Sequence, residues 1–174
     1  MTTKSDLEAL LYKKTASEPG LDPILLSAII EVESAWVPSR MKFEPGFTYL
    51  CKEQEMALKN GVDLPTERCL QRFSYGLGQI MGGTARELGF SGPLPELLDP
   101  SVNMEYMLRY FQKKCDEYVY QEDQIAAYNA GSVRRLKSGI YMNQGYVNKV
   151  LKVLAGNPAW QARKSVGPSP KMPN

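Results

Sequence analysis

The chain has 174 residues, 43 % of them hydrophobic and 23 % charged, and a net charge of +2. That length can bury a sizeable core within one domain, and a charge so near zero sets up no strong field for nucleic acid or an anionic membrane. The absence of histidine removes Ser-His-Asp triads, Cys-His pairs and His-ligated metal sites in one step.

In chain order, MTTKSDLEALLYKK lacks the apolar core of a signal peptide, and no run approaches the length of a membrane span. The chain is therefore expected to be made in the cytoplasm as a soluble product, wherever it acts. Ser5-Asp-Leu-Glu8 has the form of a capping box and predicts a first helix with Leu7, Leu10 and Leu11 on one side. Asp22-Pro23 predicts a second helix, the aspartate capping free N–H groups and the proline suited to the first turn. Within it Leu25, Leu26, Ile29, Ile30 and Glu33 share one face, whereas Ser27, Glu31 and Ser34 share another.

Residues 37 to 50, with Pro38, Pro45 and Gly46, can hold a small β element. TYLCKEQEMALKNG reads as a helix closed by Gly61, and residues 66 to 72 as another. Thr84 can cap a short helix, TARELG. Asp99-Pro100 repeats the start signal for a helix presenting Val102, Asn103, Tyr106, Met107, Tyr110 and Phe111 on one face. DQIAAYNAG predicts a short apolar helix stopped by Gly131. GYVNKVLKVLAG places Tyr146, Val147, Val150, Leu151 and Leu154 on one stripe. RKSVGPSPKMPN reads as a surface tail from residue 163. Cys51, Cys69 and Cys115 have no CxxC spacing and read as three reduced core thiols; a Cys51–Cys69 bridge has no support in the pattern.

The two acids of IIEVESAW thus separate. Glu31 continues a polar stripe and reads as solvated. Glu33 continues the apolar stripe, where burial disfavours the charged form and raises the pKa, as a general acid requires; the alternative is that it sits at the helix end and reaches water. Three further stretches stand out. SYGLGQIMGGTA, residues 74 to 85, has glycines that permit close backbone approach and an amide, Gln79, with donors and an acceptor for a sugar. AAYNAG, residues 126 to 131, is equally a helix end with a core aromatic, and Tyr146 of QGYV is equally a packing residue.

Taken in order, Glu33-Ser34-Ala35-Trp36, Gly76-Leu77-Gly78-Gln79-Ile80-Met81, Ala127-Tyr128-Asn129-Ala130-Gly131 and Gly145-Tyr146-Val147 resemble the soluble-type (SLT) lytic transglycosylase family, in the goose-type branch of the lysozyme superfamily. LLDPSVNMEYMLRYF resembles that family's long helix before AYNAG, and the likeness covers residues 20 to 155. The resemblance implies a mainly α, lysozyme-like α+β fold: one helical domain over residues 1–162 with a catalytic groove and at most a small β element. Two departures stand out. The family often has Met where Gly78 stands, and the segment between Glu33 and Gly76 is longer than in minimal members. This insertion, residues 37–73, is expected beside the groove, and its SRMKFEPGFTYL looks similar to strings in phage-encoded members.

The resemblance further implies cleavage of the β-1,4 bond between N-acetylmuramic acid and N-acetylglucosamine, with Glu33 as acid and then base, forming 1,6-anhydro ends. Ser34, Ser74, Gln79, Met81, Tyr128, Asn129 and Tyr146 are the substrate-binding or supporting residues it points to, Tyr146 lining the groove near Glu33, and no cofactor or metal is implied. The partner is the peptidoglycan glycan strand, reached as an endolysin with a holin or as a virion component; nucleic acid and membrane insertion are not expected. Glu44 is the candidate second acid, whose alternative is an ion pair or a surface acid; with it the enzyme would be a hydrolytic muramidase. A non-catalytic virion or wall-binding protein is the remaining alternative.

Overall fold

A computed structural model describes residues 2–165. The chain forms helices α1 (Lys4–Thr15), α2 (Pro23–Ser34), α3 (Glu53–Asn60), α4 (Leu64–Leu70), α5 (Gly82–Glu87), α6 (Pro100–Glu117), α7 (Gln121–Ala130), α8 (Gln144–Ala155) and α9 (Pro158–Ser165), a 3-10 turn at Leu94–Leu98, and strands β1 (Met41–Phe43), β2 (Phe73–Tyr75) and β3 (Ile80–Met81). This is the mainly α, lysozyme-like single domain with a small β element that the motifs imply.

The start signals act as read from the sequence at two helices. Asp22 accepts from the Ile24 N–H, and Asp99 from those of Ser101 and Val102, with Pro23 and Pro100 at the first helical positions. At α1 the capping box is displaced: Thr3 and Asp6, not Ser5 and Glu8, exchange the bonds, because the helix starts at Lys4. Thr84 does not cap α5, which begins two residues earlier behind Met81. α3 starts at Glu53 rather than at Thr48. α9 extends helix beyond α8, and the tail expected from residue 163 lies, past Ser165, outside the described residues.

The core is built where apolar stripes meet. α2 packs most extensively on α8, α7 on both α6 and α8, and α1 on α2 and α6. Leu26, Ile29 and Ile30 of α2 and Val147 and Val150 of α8 are completely buried; each such side chain contributes on the order of 1.5–3 kcal/mol. Ala28, Ala126 and Ala127 are buried too, and their small volume lets the helix backbones approach closely.

The β element was legible only in part. β1 falls inside residues 37 to 50, but its partners come from further along the chain: Met41–Phe43 pairs antiparallel with Phe73–Tyr75, which pairs antiparallel with Ile80–Met81. A buried network anchors the intervening segment. Glu67 takes a bidentate pair of bonds from Arg86 at 2.8 and 3.1 Å, and the same guanidinium donates to the carbonyls of Phe90 and Gly92. Gln71 bonds Glu67 and both backbone groups of Cys51. The cysteines are free, as expected, but they are not core thiols: Cys69 is exposed and the other two are half-buried.

Candidate active site

α2 ends at an abrupt bend. Ala35 and Trp36, neither of them glycine, both take left-handed backbone (φ 52° and 62°), at a cost of about 1–2 kcal/mol each. The bend leaves Glu33 in the last helical turn and turns the chain toward β1. Glu33 opens onto a groove of about 960 Å³, whose wall from Arg40 to Tyr49 belongs to the segment between α2 and α3. Arg40, Lys42 and Glu44 line this groove, whereas Met41 and Phe43, of opposite side-chain parity on the same strand, do not and are exposed. β3 and the ends of α6 and α7 supply other parts of the lining.

Glu33 is partly buried among apolar residues of the α2 stripe. Desolvation pushes its carboxyl up from 4.5 to about 7, against the opposing pull of a hydrogen bond from Tyr146 and the charges of Lys42 and Arg40. The Tyr146 hydroxyl donates to Glu33 Oε1 at 2.7 Å. Tyr146, half-buried in the first turn of α8, thus meets the carboxyl that opens onto the groove. Its own pKa is raised well above the ordinary value, by desolvation first and then by the Glu33 charge, so it stays a donor. Glu31, by contrast, pairs with Lys4 at 2.7 Å on the outside of the molecule.

The other sequence-derived residues divide. Ser74, Gln79, Met81, Tyr128, Asn129 and Glu44 all line the groove with Glu33. Ser34 does not. It is fully buried and its hydroxyl donates to the Ile30 carbonyl of its own helix, so neither a helix-surface position nor a groove contact describes it. Gln79 meets the groove with its amide already engaged: Oε1 accepts from Ser74 at 2.8 Å, and Nε2 donates to the carbonyls of Gly76 and Arg40. Tyr128 is buried and donates to the Gly78 carbonyl at 2.7 Å rather than to Glu33, although the Glu33 charge, after desolvation, helps to hold its pKa well above normal. Asn129 is exposed and accepts from Asn143, which also reaches the Ala126 carbonyl and so joins α7 to the start of α8. Glu44 forms an ion pair with Lys42 at 2.6 Å.

The sequence places Asn103 on one face of α6 with Val102, Tyr106 and Met107. It is fully buried, donates to the carbonyls of Tyr75 and Leu97, and accepts from the Gly78 N–H. It therefore fixes the Tyr75-Gly76-Leu77-Gly78 turn on α6. The close approach explains both glycines. A Cβ on Gly76, whose φ is +67°, would lie 2.8 Å from the Leu97 carbonyl oxygen, and one on Gly78 would lie 2.8 Å from Met107 Cγ and 2.9 Å from the Tyr128 hydroxyl. The sequence carried the signal, since Asn103 interrupts an apolar stripe just as Glu33 does. Arg40 and Lys42 had none: they sit in an irregular segment that only the fold brings to Glu33.

One carboxyl near neutrality, a hydroxyl holding it, and an open groove can together deliver a proton to a bound ether oxygen and take one back. Among models of known families, that of the transglycosylase SLT domain matches residues 11–146. No curated protein and no solved structure matches the chain.

Proposed function

The chain belongs to the transglycosylase SLT-domain family, and from that premise we propose that it cleaves the β-1,4 bond between N-acetylmuramic acid and N-acetylglucosamine with closure of a 1,6-anhydro ring, Glu33 serving as acid and then as base. Lytic-transglycosylase-type activity on peptidoglycan comes with the family. The observation that carries the finer reading is the Glu33 carboxyl itself, raised to about 7 while held by Tyr146.

Protonated Glu33 gives its proton to the glycosidic oxygen as the bond to C1 breaks through an oxocarbenium-like transition state. The aglycone leaves as an alcohol. The carboxylate left behind accepts the Tyr146 bond more strongly, since a hydrogen bond to an ionised acceptor is stronger than one to a neutral acid. It then takes the proton of the muramic C6 hydroxyl, whose oxygen closes on C1, and Glu33 returns to its acid form. A group titrating near neutrality serves both halves, because neither transfer is steeply uphill.

The route needs no second carboxyl. This favours it over the hydrolase, since Glu44, the candidate for holding a water, is engaged by Lys42. Arrival at the wall as an endolysin or on a virion belongs to the same proposal, resting on the likeness of SRMKFEPGFTYL to phage-encoded members. Mass spectrometry of purified peptidoglycan digested with the protein is the test. Muropeptides lighter by one water mean anhydro ends; reducing ends mean hydrolysis and sink the proposal; no products mean a binding protein.

A further inference from the structure

The groove carries more positive charge than its sugar ligand explains. Lys42 is paired with Glu44, Lys113 with Glu87 at 2.7 Å, and Lys114 with Glu117 and the Gly131 carbonyl. The charge of Arg40 acts weakly on Glu33, favouring its ionised form. Arg134 also lines the groove; its side chain is exposed, and among the described residues it, like Arg40, has no ion pair. The segment that carries it is held firmly. Its backbone carbonyl accepts from the Met142 N–H at 2.9 Å, closing a hairpin, and an isolated bridge joins Arg135 to Tyr141. Arg135 is fully committed to that fold. It donates to Asp123, to the Tyr141 hydroxyl and to the Gly139 carbonyl, and its guanidinium lies 4.0 Å from the Tyr141 ring centroid. At the other end Asn143 bonds the Ala126 carbonyl. Two adjacent arginines thus have opposite fates, one spent on holding the hairpin and the other presented to the groove by it.

Resting on the function proposed above, we infer that Arg134 binds a carboxylate of the peptide stems borne by the glycan, so that the preferred substrate is the peptide-bearing strand. The sugar rings of a peptide-substituted strand are uncharged, since the lactyl carboxyl is tied up as an amide; negative charge lies on the peptide branches. A guanidinium offers a planar fork matched to a carboxylate, and a charge-assisted pair of this kind is stronger than a neutral hydrogen bond. A hairpin fixed in advance spares the ordering cost that a loose loop would incur on binding.

The test compares kcat/KM on peptide-bearing glycan strands and on the same strands after carbodiimide coupling to ammonia, which converts stem carboxylates into amides and leaves the sugars unaltered. The wild-type protein is expected to prefer the untreated strands by about ten-fold, the worth of one hydrogen bond to a charged group. Arg134→Gln is expected to bring that ratio to within about two-fold of unity, and Arg134→Lys, which keeps the charge but loses the fork, to an intermediate value. A wild-type protein that cuts both substrates equally well overturns this inference and leaves the transglycosylase reading standing. An unchanged ratio in Arg134→Gln also overturns it. A wild-type protein that cuts neither overturns both readings.

Discussion

The Tyr146 hydroxyl and the Glu33 carboxyl meet at 2.7 Å although 113 positions separate them in the chain. α2 and α8 make this contact through stripes that bury Ile29, Ile30, Val147 and Val150, so packing energy far larger than one hydrogen bond holds the two polar groups in register. The hydroxyl favours the ionised carboxylate while burial disfavours it, and burial wins.

Deleting only that hydroxyl separates the two effects. Tyr146→Phe keeps the ring and its packing, and removes the one interaction with its own hydrogen-bond donor that lowers the Glu33 pKa. The pKa therefore rises further above 7, and the alkaline limb of the kcat/KM profile moves to higher pH. Turnover on peptidoglycan falls about ten-fold or more, since a lost hydrogen bond to a charged group is worth about 1.5–3 kcal/mol. An unshifted profile with full activity would make Tyr146 a packing residue only.

Glu33→Gln is expected to abolish turnover, by at least ~10²-fold, and to stabilise the fold in a pH-dependent way. Because the folded pKa of about 7 exceeds the unfolded value near 4.5, the folded state binds more protons between these limits. Wild-type stability due to this group is lost as pH rises through that window. The variant and the wild type should melt together near pH 4, and above pH 7 the variant should be more stable by on the order of 1–3 kcal/mol. Thermal melts across that range check it; a constant difference at all pH values would mean that Glu33 does not titrate there.

Glu44→Gln should slow the reaction far less than Glu33→Gln, because ring closure requires no second carboxyl. Loss of its partly exposed pair with Lys42 costs at most about 1 kcal/mol. Steady-state rates on the same peptidoglycan decide: equal losses in the two variants, with reducing sugars as products, would favour the hydrolase.

Gly78→Ala places a methyl group against Met107 and the Tyr128 hydroxyl, which should destabilise the protein by about 1–3 kcal/mol. Met107→Ala alone leaves a cavity and costs about 2–5 kcal/mol. Together they should cost less than their sum, since the shortened side chain at 107 makes room for the added methyl. A double-mutant cycle by urea unfolding measures the coupling; strict additivity would show that the clash relaxes elsewhere.

Glu67→Gln should be costly without touching the groove. It leaves the Arg86 guanidinium, 1 % exposed, without a counter-charge, and breaking such a buried pair costs about 3–5 kcal/mol. Urea denaturation should show a lower midpoint, and an unchanged midpoint would mean that solvent or a neighbour compensates the arginine.

Local physics made much of this protein legible in the sequence. Asp22-Pro23 and Asp99-Pro100 announced two helices because a cap and a first-turn proline act within four residues, and Glu33 declared itself by standing in a stripe of Leu and Ile. Asn103 was equally legible by the same rule. Where competing local signals were close in strength, the reading slipped by two residues: Thr3 took the cap from Ser5. The tertiary structure alone decided which polar groups meet. Strands of two or three residues have no period to detect, and β1, β2 and β3 exist only because three segments are brought side by side. Ser34 and Gln79 carry the same chemistry in the sequence whether they face a ligand or bond their own backbone. That choice depends on where neighbouring helices exclude water, which no local pattern encodes. So the sequence fixes an acid on an apolar helix face, and the packing of α2 on α8 gives that acid its tyrosine, its burial and its pKa.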